Sequence, residues 1–196
     1  WAMTSASREL SLTFTPRGAV LGSGPATADG FLVKYRDGED RLAFATYFGG
    51  SGNETVRAVK TDPAGNVWIA GSTTSVDLPV TPNAMQHALN GPSDAFVAEF
   101  SADGALLYCT YIGGSGDDGI RARAIDPYGE LWVTGTTTTR DFPITVGVLP
   151  PALPGPLAPY VFAAKLGAAA TRTVFATYIG TFFEYPGGIA TDAAGN

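Results

Sequence analysis

A seven-residue block that keeps returning constrains this chain more than any other feature. Thr46-Tyr47-Phe48-Gly49-Gly50-Ser51-Gly52 recurs as Thr110-Tyr111-Ile112-Gly113-Gly114-Ser115-Gly116, and in worn form as Thr177-Tyr178-Ile179-Gly180. The tyrosines stand 64 and then 67 residues apart. A second block, Asp62-Pro63-Ala64-Gly65-Asn66, becomes Asp126-Pro127-Tyr128-Gly129-Glu130 and then Asp192-Ala193-Ala194-Gly195-Asn196. A third, Asp29-Gly30-Phe31-Leu32-Val33-Lys34-Tyr35, recurs as Asp94–Phe100 and, without its leading Asp, as Tyr160–Leu166. A fixed period of this length means one supersecondary unit stacked in tandem, each copy stabilised by its neighbours.

The unit reads as four short strands. In the middle copy they are Val56–Thr61, Val67–Ser72, Ala95–Phe100 and Leu106–Ile112. Asp-Pro-Ala-Gly-Asn and Ser101-Ala102-Asp103-Gly104 read as hairpin turns, because Pro suits an early turn position and Gly supplies positive φ. Four antiparallel strands repeated in tandem make a propeller blade. The predicted fold is therefore all-β, a partial propeller of about three four-stranded blades, with units at about 8–50, 51–114 and 115–180 and the start of another at 181–196. Leu12–Leu21 reads as a worn first hairpin. Trp68, Trp132, Phe96, Phe162, Tyr47, Tyr111 and Tyr178 recur at equivalent places and are expected between blades. Three blades do not close a ring, which takes about 4–8, so this segment is expected to be marginal by itself. Both ends are read as cuts through a longer protein.

Composition narrows the partners. Twelve basic and 18 acidic residues leave a net charge of −6, which argues against nucleic acid, whose phosphates call for a clustered basic face. No apolar run is long enough to span a membrane as a helix. The single cysteine, Cys109, excludes an internal disulfide and reads as a small buried hydrophobe.

Taken together, Phe44–Asn53, the Asp-Pro-Ala-Gly-Asn turn, Gly71-Ser72-Thr73-Thr74 with Asp77-Leu78-Pro79, and Asp94–Phe100 resemble the bacterial SBBP β-propeller repeat. The following copy, through Gly135-Thr136-Thr137 and Asp141-Phe142-Pro143, is as similar. The resemblance covers about residues 29–196. It implies a large secreted or surface-attached bacterial protein, a seven-bladed ring completed by blades outside this segment, and motif residues that are structural rather than catalytic. Two places depart from the pattern: Thr181-Phe182-Phe183 replaces Gly-Ser-Gly, and a proline-rich stretch fills Pro143–Pro159.

Candidate chemistry is sparse. Gly113–Asp118 matches a calcium signature of β-helices, which works only in tandem nine-residue copies. Asp117 and Asp118 are a weak calcium candidate, calcium wanting about 6–8 oxygens. No other metal or cofactor is expected. The same glycines lack the Lys-Ser/Thr and helix of a phosphate loop. Asp62…Trp68 is similar to the aspartate box of sialidase propellers, one residue too long. No acid pair stands out for glycoside hydrolysis, and His87 has no second ligand or triad partner nearby. Arg57, Lys60, Arg121 and Arg123 lie on the first strands of their units, which line the channel of a propeller. They are the candidate binding residues, an anion site for an acidic sugar or another carboxylate, since the planar arginine fork suits carboxylates. The long linkers Thr73–Ser93 and Thr137–Pro159 either carry binding or cover strand edges. The expected role is a non-catalytic binding or scaffolding module with a protein or glycan partner. The alternative is a polysaccharide-active lyase or hydrolase, or its accessory domain, with its site in the channel.

Overall fold

A computed structural model describes residues 28–35, 42–145, 159–167, 172–181 and 186–195. The expected worn hairpin at Leu12–Leu21, the prolines from Pro150 to Pro156 and the departure at Phe182-Phe183 lie outside the described residues.

Ten strands are present: β1 (Gly30–Tyr35), β2 (Leu42–Phe48), β3 (Glu54–Thr61), β4 (Val67–Thr73), β5 (Asp94–Phe100), β6 (Leu106–Ile112), β7 (Asp118–Ile125), β8 (Leu131–Thr137), β9 (Tyr160–Leu166) and β10 (Thr173–Thr181). β1 and β2 form a hairpin, β3-β4-β5-β6 one antiparallel sheet and β7-β8-β9-β10 another. β7 packs against β3, β4 and β5, and β1 touches β3. These are propeller blades in an open arc, with β3 and β7 innermost.

Local sequence explains the hairpins. In the β3–β4 turn the amide of Gly65 donates to the Asp62 carbonyl, and Asn66 donates its backbone amide to Asp62 Oδ1 and its side-chain amide to Oδ2. Gly65, Gly129 and Gly195 hold φ of 85°, 77° and 81°, the left-handed region where a side chain is strained. Gly71 and Gly135 serve a different need. Each lies against the inner strand, where a β-carbon would run into the carbonyl of Thr55 or Gly119. Both face a bulge in the inner strand, between Val56 and Ala58 and between Ile120 and Ala122.

Two apolar seams join the units. In the first, Leu32, Phe44 and Phe48 of the hairpin pack on Val67, Ile69, Phe96, Ala98 and Tyr111. In the second, Trp68, Ala70, Val97 and Tyr108 pack on Ile120, Val133, Phe162 and Ala164. Phe96, Phe162, Tyr111 and Tyr178 are buried as expected. Trp68 lies in the second seam. Its copy Trp132 is half-buried on the far face of the last sheet, 4.9 Å beneath the Lys165 ammonium. Tyr47 departs from expectation: it is exposed, because it occupies the outward face of the first hairpin rather than a seam.

The linker 74–93 covers an edge. Thr81 donates its amide to the Cys109 carbonyl and accepts the Cys109 amide on its hydroxyl, and Tyr111 donates its amide to the Gln86 carbonyl. These groups belong to the outer edge of β6, which would otherwise stand unpaired. Thr145 makes the same pair of bonds with Ala176 on β10. Among the described residues no helix is long and apolar enough to cross a membrane.

Candidate functional site

The glycine-rich turn carries the chain from the outer strand of one unit to the inner strand of the next. Its amides point inward and meet the chain's own carboxylates. Gly50 donates to Glu54 Oε2 at 3.0 Å, and Ser51 donates its amide to Asp77 Oδ1 at 2.7 Å. One unit later, Gly114 donates to Asp118 Oδ2 at 2.7 Å and Ser115 to Asp141 Oδ1 at 2.9 Å. An anion-binding nest is thus filled from within. The hydrogen bonds from Ser51 hold the Asp77 carboxyl below its ordinary range, and those from Thr139 and Ser115 do so for Asp141.

A second acid, unread in the sequence, stands beside each of these turns. A β-carbon on Gly113 would lie 2.6 Å from Asp118 Oδ2 and 2.8 Å from Asp94 Oδ1; Gly49 is wedged in the same way between Glu54 and Asp29. Backbone bonds close the junction, Glu54 donating to the Ala28 carbonyl and Asp118 to that of Ser93. Asp94 is completely buried and accepts from Gln86, Asn90 and Gly91. Burial raises its carboxyl nonetheless. Burial, with smaller contributions from the charges of Asp94 and Asp141, pushes Asp118 up to about 6. The signal was present in the repeat: Asp29 and Asp94 recur 65 residues apart, and Glu54 and Asp118 64 apart.

The calcium candidates do not act as a pair. Asp117 is exposed and accepts from Ser93, whereas Asp118 is buried against Gly114. Neighbouring residues on a strand point to opposite sides. No group of three or more His, Cys, Asp or Glu among the described residues could hold a metal ion. His87 is exposed, and Cys109 is fully buried, its thiol pushed up by burial.

The four cations of the inner strands do not form one cluster. Arg57 and Arg121 are exposed, each the extra residue at its strand's bulge. Lys60 is exposed opposite Trp68. Arg123 is buried, opposite Val133. Beyond Lys60, a cavity of about 530 Å³ opens at the inner-strand turns, lined by Lys60, Asp62, Ile125, Asp126, Thr191 and Asp192 among others. The acids of this rim are engaged locally. Asp62 binds Asn66, Asp126 binds Lys165 at 3.2 Å and the turn amides of Tyr128 and Glu130, and Asp192 accepts from Ala194.

These geometries converge on residues 43–79, which match the family model of the SBBP beta-propeller repeat. The chain carries an SBBP β-propeller repeat. The matched SBBP segment runs from β2 through the glycine turn, β3 and β4 to Pro79, so it spans one glycine turn between units together with Glu54 and Asp77, which accept its amides. Within the matched segment, Gly50 and Ser51 of the glycine turn are bonded to Glu54 and Asp77. No curated protein matches the chain.

Proposed function

We propose that this chain is a non-catalytic binding or scaffolding segment of a secreted or surface-attached bacterial protein. The observation that carries the reading is the use to which the repeated polar side chains are put. Glu54, Asp77, Asp126 and Asp141 are occupied by turn amides, hydroxyls or Lys165. The hydroxyls of Tyr111 and Tyr178 donate to the carbonyls of Ser75 and Thr139. A group held as a strut is poorly placed to exchange protons with a substrate. Such a rigid frame suits the display of surfaces at the turns and on the inner strands.

A polysaccharide-active enzyme, or its accessory domain, is the second reading. It is favoured by the cavity at the inner-strand turns, whose rim carries Lys60 beside three aspartates. Incubating the intact protein with neutral and acidic polysaccharides separates the two. Retention of a polysaccharide or a protein without new chain ends supports the binding module. Turnover that disappears in Asp62→Asn or Asp126→Asn, with folding retained, would replace it by the enzyme. Cell fractionation tests the location, and recovery only from the cytosol contradicts it.

A further inference from the structure

Position 123 holds the least satisfied charge among the described residues. The aligned copies carry Val59 on β3, Arg123 on β7 and Ile189 in the third turn region. The repeat's ordinary residue there is apolar, and Val59 packs into the first seam. Arg123 stands opposite Val133, which stands opposite Ala164. That face of the sheet packs on Trp68, Ala70 and Val97 of the preceding sheet. Arg123 is 9% exposed, and its Nε, Nη1 and Nη2 have no hydrogen-bond partner. A guanidinium offers five donors in a planar fork and accepts nothing, and it keeps its charge at neutral pH even where burial lowers it to about 9.

The charged groups near this seam do not supply a counter-ion. Glu99, opposite Trp68 on β5, accepts from Asn66 and makes no ion pair with Arg123. Asp126, just beyond the end of β7, is bound to Lys165. Lys60, on the facing inner strand at nearly the same level, and Arg121, on β7 itself, are further cations, both exposed. The buried fork thus lies behind an inner-strand edge that carries Lys60 and Arg121, while Asp62 and Asp126, at the turns beyond, are held by Asn66 and Lys165.

We infer that the seam between the two complete blades binds a small carboxylate on Arg123, drawn in past Lys60. The carboxylate is either a free monocarboxylate or the acid group of a uronate sugar. Its planar pair of oxygens matches the fork, and a nearly closed seam between packed sheets favours a small planar anion over a bulky one. The inference goes beyond the reading above, because an anion in this seam serves a scaffold and a binding module alike.

The test is the unfolding midpoint of the intact protein in acetate, glucuronate, chloride and neutral glucose at constant ionic strength and pH. Acetate or glucuronate is expected to raise the midpoint by about 3 °C over chloride. Arg123→Val, the residue of the preceding copy, is expected to abolish the shift and to melt higher than the native protein in chloride. Arg123→Gln serves as the second variant, and calorimetric titration with acetate reads binding directly. A shift with both carboxylates means that a free acid suffices, and one with glucuronate alone assigns the site to the sugar. An equal shift in the native protein and both variants, or no shift and no heat in the native protein, overturns the inference.

Discussion

The two seams are copies, and they are finished differently. At the first, Glu54 reaches far enough for Oε1 to accept from both Thr73 and Ser75 at 2.5 Å while Oε2 takes the Gly50 amide. At the second, the acid is Asp118, one methylene shorter. It accepts from Gly114 and Thr137, and its Oδ1 is left buried without a partner. Thr139, the copy of Ser75, turns its hydroxyl to Asp141 instead. Five residues along the same strand, Val59 of the first seam is replaced by Arg123 of the second. The frame is the same, but only the second seam adds a buried guanidinium without a hydrogen-bond partner, and its inner-strand acid, unlike Glu54, leaves one oxygen unbonded. Repeats tolerate such divergence because most stabilisation comes from nearest-neighbour packing, so one copy can give up stability and leave another untouched.

If the apolar packing of the seams is equivalent, truncating it should cost the same in both. Phe96→Ala and Phe162→Ala, each removing a fully buried ring, are expected to destabilise by about 3–5 kcal/mol apiece. Denaturant titration checks this, and a difference beyond about 1 kcal/mol would mean that the contact with Phe48 in one seam and with Phe142 in the other does unequal work.

The acids should separate the seams by pH. The folded-state value of Asp118, about 6, lies above its ordinary value of 3.8, so the folded form retains a proton that the unfolded chain releases between about pH 4 and 6. Stability is then lost as pH rises through that window, by up to about 3 kcal/mol. Asp118→Glu, which restores the reach of Glu54, is expected to flatten this slope and raise stability at pH 7. Melting curves at stepped pH read it; an unchanged slope would assign the dependence to Asp94 or Glu99, both also raised by burial.

A smaller effect is expected from the tyrosine hydroxyls. Tyr111 donates to Ser75 and accepts from the Leu78 amide, so Tyr111→Phe strands two buried backbone groups at about 1–3 kcal/mol. Tyr178→Phe, whose bond to Thr139 is longer at 3.2 Å, is expected to cost less. The smallest cost, about 1 kcal/mol, is expected for Thr81→Val, which removes the hydroxyl that accepts the Cys109 amide. Hydrogen exchange at Cys109 should rise in that variant alone.

Most of the fold was legible in the sequence because the repeated residues do local work. Asp62, Gly65 and Asn66 make a turn with one another, and the four strand runs lie between such turns. Contacts between blocks were harder to read. Asp94 heads the third block, yet its approach to Asp118 depends on the strand of one unit meeting the turn before the next. The four inner-strand cations looked alike along the chain. The bulge leaves Arg57 and Arg121 exposed, while strand alternation sends Arg123 into the seam. The mismatch between Val59 and Arg123 in aligned copies was the available clue, and it needed the seam to give it meaning. The linker 73–93 could be read as a binding loop or an edge cover until Thr81 and Gln86 were found bonded to β6.

That linker has a consequence for how such chains grow. Each unit brings the segment that shields its own outermost strand, with Asp77-Leu78-Pro79-Val80-Thr81 and Asp141-Phe142-Pro143-Ile144-Thr145 as successive copies of the shield. A duplicated unit therefore arrives already sealed along the side that would otherwise recruit strands from other molecules. Gene duplication can lengthen the array without passing through a sticky intermediate, and a designer could insert or delete whole units at the glycine turns on the same terms.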